Sequence, residues 1–79
     1  MSKSKKIKYL LDCKNIKSKD YAKKLGLTRP QALNTKYIRE SFSSNDLIKL
    51  ADITHTKLVF YDYLNDRIII EFDNDDLSD

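Results

Sequence analysis

The stretch Lys19–Tyr37, KDYAKKLGLTRPQALNTKY, decides how the chain is read. It sets the only glycine of the sequence, Gly26, between two short amphipathic runs, and the only proline, Pro30, lies four residues on. Before the glycine, Ser18 is expected to cap a helix whose first turn receives Asp20 and whose inner face is Tyr21, Ala22 and Leu25. Gly26 ends that helix, because a tight turn needs a backbone that few other residues accept. After it, Thr28 with Gln31 three residues later predicts a capping box, and Pro30 is tolerated in a first turn because its missing N–H would be unsatisfied there anyway. A further helix thus starts near Arg29, with Leu33 and Tyr37 as its inward stripe. Gln31, Asn34, Thr35 and Ile38, at steps of three and four, make the opposite stripe.

Working outward, Ile7, Leu10 and Leu11 recur at helical spacing and predict a first helix from about Ser4 to Lys14. Asn15 suits a left-handed cap and Ile16 turns back into the core. On the other side, FSSNDLIKLAD is a clear helix start, with Ser43 as cap, Asp46 at the third position and Phe42 able to staple against Leu47. That helix is expected over Ser44 to about Asp52, burying Leu47, Ile48 and Ala51, with ITHT as a loop. The period then changes to near two. KLVFYDYL and RIIIEF flank Asn65-Asp66 and read as a β-hairpin with both faces apolar: Leu58, Phe60, Ile68, Ile70 and Phe72 against Val59, Tyr61, Tyr63 and Ile69. A two-strand hairpin is marginal alone. One face should therefore cover the helices and the other meet a second copy or another partner. DNDDLSD reads as a frayed, solvated tail.

Seventy-nine residues make one domain. It divides into a helical bundle over 1–55, a hairpin over 56–72 that serves as its dimerisation element, and an acidic tail over 73–79. Charged residues at 34% leave little apolar surface to spare, so a homodimer is the expected state. Residues 1–40 carry twelve Lys/Arg against three Asp/Glu, a balance of +9, whereas residues 41–79 carry three against nine, a balance of −6. A positive half can neutralise phosphates and release counterions. The acidic half would then face away from the polymer.

The single Cys13 points to a reducing compartment. The N-terminus MSKSKKIKYLLDCKN lacks the apolar run of a signal peptide or membrane span, so a cytoplasmic location without membrane contact is expected. No enzymatic constellation is visible. His55 is the only histidine, Cys13 has neither a second thiol nor a histidine near it, and DNDDLSD lacks the central glycine and closing glutamate of a calcium loop. Neither a metal, a cofactor nor a catalytic residue is assigned.

The span Ser18 to Ile38, with Ala22, Gly26 four residues on, Leu27 and a polar helix start at Thr28, resembles the helix-turn-helix of phage Cro and lysogeny-repressor type regulators, the XRE family. The resemblance extends over roughly residues 5–72 and implies a mostly α, lambda-repressor-like domain of four to five helices with a C-terminal hairpin. It further implies a transcriptional regulator, a repressor of a bacterial or mobile-element operon, that binds a palindromic operator in double-stranded DNA as a dimer. The third helix would lie in the major groove while the preceding one braces on the backbone. Thr28, Arg29, Gln31, Asn34 and Thr35 are the base-reading candidates, and Ser18, Lys19, Lys36, Tyr37 and Arg39 the phosphate candidates. For Tyr37, core packing is the competing role. Val59, Tyr61, Tyr63 and Ile69 are the candidate dimer interface. The family's buried aliphatic stands six residues after the glycine, which here is Ala32, while the convincing aliphatic is Leu33. Either Ala32 is a small core contact, or the turn is one residue longer. The alternative function is a protein-binding module on the same scaffold, an anti-restriction or anti-CRISPR type inhibitor or an antitoxin. The hairpin or acidic tail would then hold the protein partner.

Overall fold

The computed structural model describes residues 2–78. Four helices, α1 (Lys3–Cys13), α2 (Ser18–Lys24), α3 (Pro30–Arg39) and α4 (Ser44–Thr54), are followed by an antiparallel hairpin of β1 (Leu58–Asp62) and β2 (Arg67–Phe72). A 3-10 turn over Asn74–Asp76 comes last. The core draws on every helix: Ile7 and Leu11 of α1, Tyr21 and Ala22 of α2, Leu33 and Tyr37 of α3, and Leu50 of α4. Ile16, Leu25, Leu27, Phe42, Leu47 and Ile53 pack against it, half-buried. Leu47 and Ala51 are only half-buried, while Leu50 and Thr54 take inner positions on α4. The helix also runs two residues past Asp52, into the segment expected to be a loop. Thr54 is fully buried, its hydroxyl 2.7 Å from the Leu50 carbonyl and 2.8 Å from the Thr56 hydroxyl.

How the helices end positions them. Asn15, Gly26, Glu40 and His55, one after each helix, all lie in the left-handed region. At α2 the Gly26 amide donates to the Lys23 carbonyl and the Leu27 amide to the Ala22 carbonyl, both at 3.0 Å. This is a Schellman closure, which satisfies the last carbonyls and sends Leu27 back onto the core. Asn15 and Ile16 close α1 in the same way. A Cβ on Gly26 would meet no atom within 4 Å, so the backbone alone asks for glycine there.

Helix starts correct two expectations. Lys17, not Ser18, is the N-cap of α2, because the Ser18 hydroxyl lies 3.2 Å from the Tyr37 hydroxyl, on the neighbouring helix, and caps nothing. The Thr28–Gln31 capping box does not form either: Arg29 is the N-cap of α3 and no side chain bonds there. Pro30 explains the shift, since its ring pushes the preceding residue into extended backbone, and Arg29 sits at φ −119°, ψ 131°. The α4 start behaves as expected. Ser43 and Asp46 form a reciprocal capping box, with Phe42 and Leu47 both drawn onto the core.

The hairpin departs furthest from its sequence reading. Its strands pair Leu58 with Phe72, Val59 with Glu71 and Phe60 with Ile70, but Tyr61 with Ile68. Ile69 is therefore an extra residue in a bulge. Since paired residues share a face, Ile68 belongs with Val59 and Tyr61 rather than with Phe60 and Ile70. The turn is longer too. Tyr63 to Asp66 form it, with the Asp62 carboxylate accepting from the Leu64 and Asn65 amides and the Asn65 side chain, so Tyr63 stands at the tip and not in a strand. Neither face covers the bundle: β2 is exposed along its length, and β1 is half-buried only at Leu58 and Val59, at the end beside α4, and at Asp62 by the turn. The tail, conversely, is docked. Asp73 caps the 3-10 turn, and the Asn45 side chain of α4 holds the Ser78 backbone at both its N–H and its carbonyl.

Candidate nucleic-acid interface

α3 divides sharply into two sides. Leu33 is 3% exposed and Tyr37 8% exposed, whereas Gln31, Asn34, Thr35 and Ile38 are all exposed on the opposite side. Ala32 is half-buried, so Leu33, seven residues after Gly26, is the core aliphatic. One residue rotates a helical position by about 100°. The register of α3 thus turns both amides, Gln31 and Asn34, outward.

Several contacts hold α3 in that orientation. At its C-terminal end the Ser4 hydroxyl of α1 donates to the Tyr37 carbonyl. In the same last turn the Lys36 ammonium reaches the Asp46 carboxylate at 2.8 Å, across to the first turn of α4. Asp46 is itself buried and bonded to the Ser43 amide at 3.0 Å, while its backbone carbonyl accepts from the Tyr21 hydroxyl at 2.8 Å. Burial alone would raise this carboxyl. The Lys36 ammonium and the Ser43 amide outweigh it, and Asp46 is held below the usual carboxylate value. Tyr21, desolvated and facing the Asp46 charge, is pushed well above the ordinary phenol range and stays a proton donor. Three helices meet at one buried charge.

A groove of about 330 Å³ opens between α2 and α3, bringing together Ser18, Lys19 and Asn34 with Lys8 of α1. The Lys8 ammonium stands 4.6 Å from the centre of the Tyr37 ring, a cation–π contact that holds a positive charge over the groove. A smaller groove, about 140 Å³, continues past Lys19 and Lys23 to Thr28 and Arg29. Thus the candidate base-reading residues Thr28, Arg29, Gln31, Asn34 and Thr35 are all exposed; Asn34 lines the first groove with Ser18 and Lys19, Thr28 and Arg29 line the second with Lys19, and Gln31 and Thr35 line neither. Arg39 is exposed in the last turn. Two phosphate candidates are differently placed: Lys36 is paired with Asp46, and Tyr37 is core, its hydroxyl against Ser18 and its pKa raised mainly by burial. Nothing in the sequence marks Lys8 for this place. Its signal, a lysine one position past the buried Ile7, is shared by many solvated lysines.

No helix among the described residues is long and apolar enough to cross a membrane, and among them no cluster of three or more His, Cys, Asp or Glu could hold a metal ion. The candidate dimer residues lie on the hairpin: Val59 half-buried, Tyr61 and Ile69 half-exposed and Tyr63 81% exposed. A scan against protein-family models matches none, and searches of curated proteins and of solved structures return no match.

Proposed function

We propose that this chain is a small helix-turn-helix regulator of the Cro and lysogeny-repressor type, which binds double-stranded DNA as a homodimer and represses by occupying a palindromic operator. The observation that carries the reading is the α3 surface: two outward amides, Gln31 and Asn34, on a helix anchored by Leu33, Tyr37 and the Lys36–Asp46 pair. Such amides present paired donor and acceptor groups matched to adenine in the major groove, and an arginine such as Arg29 suits guanine. The +9 balance of residues 1–40 supports phosphate contact, with Ser18, Lys19, Lys8 and Arg39 as the available groups. Lys36 and Tyr37 are left out of that set, since both are already engaged inside the fold.

Dimerisation is supported by the hairpin, whose Phe60, Tyr61, Ile68, Ile69 and Ile70 leave about half or more of their surface to water. Two copies joined there would set their third helices about 34 Å apart, one turn of DNA. The protein works in the cytoplasm, has no cofactor and catalyses no reaction in this reading. The same exposed hairpin also favours a second reading, a module that holds another protein. Titration of the full chain against the DNA upstream of its own gene, at several salt concentrations, separates the two. A regulator prefers that duplex over random DNA, loses affinity steeply with salt, and keeps only the salt-sensitive part when Gln31 and Asn34 are both changed to Ala. A chain indifferent to every duplex would overturn the reading.

A further inference from the structure

Ile38 has no role in the fold. It is 76% exposed on a helix whose other aliphatic, Leu33, is 3% exposed. A solitary exposed isoleucine is ordinary. This one continues the stripe of Gln31, Asn34 and Thr35, which stand seven, four and three residues before it on the same side. Thr35 adds an independent observation. Its hydroxyl donates its only proton to the Gln31 carbonyl at 2.9 Å, so toward a base it offers a methyl group and an acceptor but no donor. The stripe is therefore polar at its beginning and largely apolar at its end.

We infer that Ile38, with the Thr35 methyl beside it, takes the 5-methyl group of a thymine, and that this apolar end fixes a thymine in each half-site. The inference rests on the regulator reading given above and goes beyond it by naming a base and a distance. Thymine is the one base that carries a methyl group into the major groove. Seven residues at 1.5 Å rise separate Gln31 from Ile38, roughly 10 Å, which is about three base-pair steps along the groove. The thymine therefore lies about three steps from the base that Gln31 reads.

The test uses duplexes enriched by the full chain from a randomised pool, with each thymine then replaced singly by deoxyuridine, which removes the methyl and leaves protein and base pairing untouched. At the position about three steps from the Gln31-dependent base, the replacement should weaken binding about fourfold, the worth of one buried methyl group. With Ile38→Ala the same replacement should cost clearly less, because only the Thr35 methyl is left beside the thymine. Equal losses in both proteins at every thymine, or no loss anywhere, overturn the inference while leaving the enriched motif as support for the regulator reading. A pool that enriches no motif overturns both.

Discussion

The helices and the hairpin treat apolar side chains in opposite ways. In the bundle, Ile7, Leu11, Tyr21, Leu33, Tyr37 and Leu50 are all under a tenth exposed; in the hairpin, Phe60 is 66% exposed and the three isoleucines of β2 about half. Residues of equal hydrophobicity are closed off in one region and left open in the other. The difference teaches that the bundle encloses its own apolar side chains, whereas the hairpin leaves most of its own open to water, and the dimer proposed above would cover them.

The largest expected effect breaks the comparison from the bundle side. Leu11→Ala, at a position fully buried, should cost about 3 kcal/mol by leaving a cavity. Tyr61→Lys with Ile69→Lys should leave the denaturation midpoint of the bundle nearly unchanged yet convert the protein to a monomer with weaker DNA binding. Urea melts and sedimentation read the two separately. A hairpin double variant that sediments as a dimer removes the hairpin from that role, and one that melts with Leu11→Ala shows the regions to be one cooperative unit.

Asp46 sharpens the comparison at intermediate size. Replacement by Ala removes the capping box and strands Lys36, for an expected loss of about 2 kcal/mol. Because the folded carboxyl sits below its ordinary value of 3.8, its contribution is whole above that pH and disappears as the pH falls further. Acid melts should therefore converge: the gap between the natural chain and Asp46→Ala, wide at pH 6, narrows below pH 4. A gap independent of pH would mean that the ion pair contributes nothing.

The smallest effect concerns the helix ends. His55 is left-handed at φ 56° without being glycine, so His55→Gly should raise stability by about 1 kcal/mol, and Gly26→Ala should lower it by a similar amount. Thermal melts decide both. Since no atom lies near the Gly26 Cβ position, a much larger loss there would point to a packing role that its surroundings do not contain.

What was legible in the sequence was what neighbours along the chain settle between themselves. The Ser43–Asp46 box, the left-handed Asn15 and the Leu33–Tyr37 inward stripe of α3 each depend on residues within four positions, and each is present. The partner of Lys36 was not legible, because Asp46 is ten residues on and meets it only once α3 and α4 pack. The type of Ser18 suits a cap, yet a tertiary neighbour, Tyr37, claims its hydroxyl. Leu50 and Thr54 were missed because which side of α4 faces inward depends on the other three helices. The bulge carries no compositional mark in RIIIEF, where three like residues in a row conceal which one is extra. The candidate surface of α3 was legible as residue types, and its orientation came only with the packing of Leu33.

Ile69, the surplus residue of the second strand, has a consequence for how this chain tolerates genetic change. Loss of a codon within a ladder ordinarily slides every later side chain to the wrong side of the sheet. Here the lost codon could be this one, and Tyr61 would still find Ile68 while Phe60 kept Ile70. The hairpin thus carries a built-in allowance for one deletion, at the same place where its pattern of exposed side chains could be redrawn.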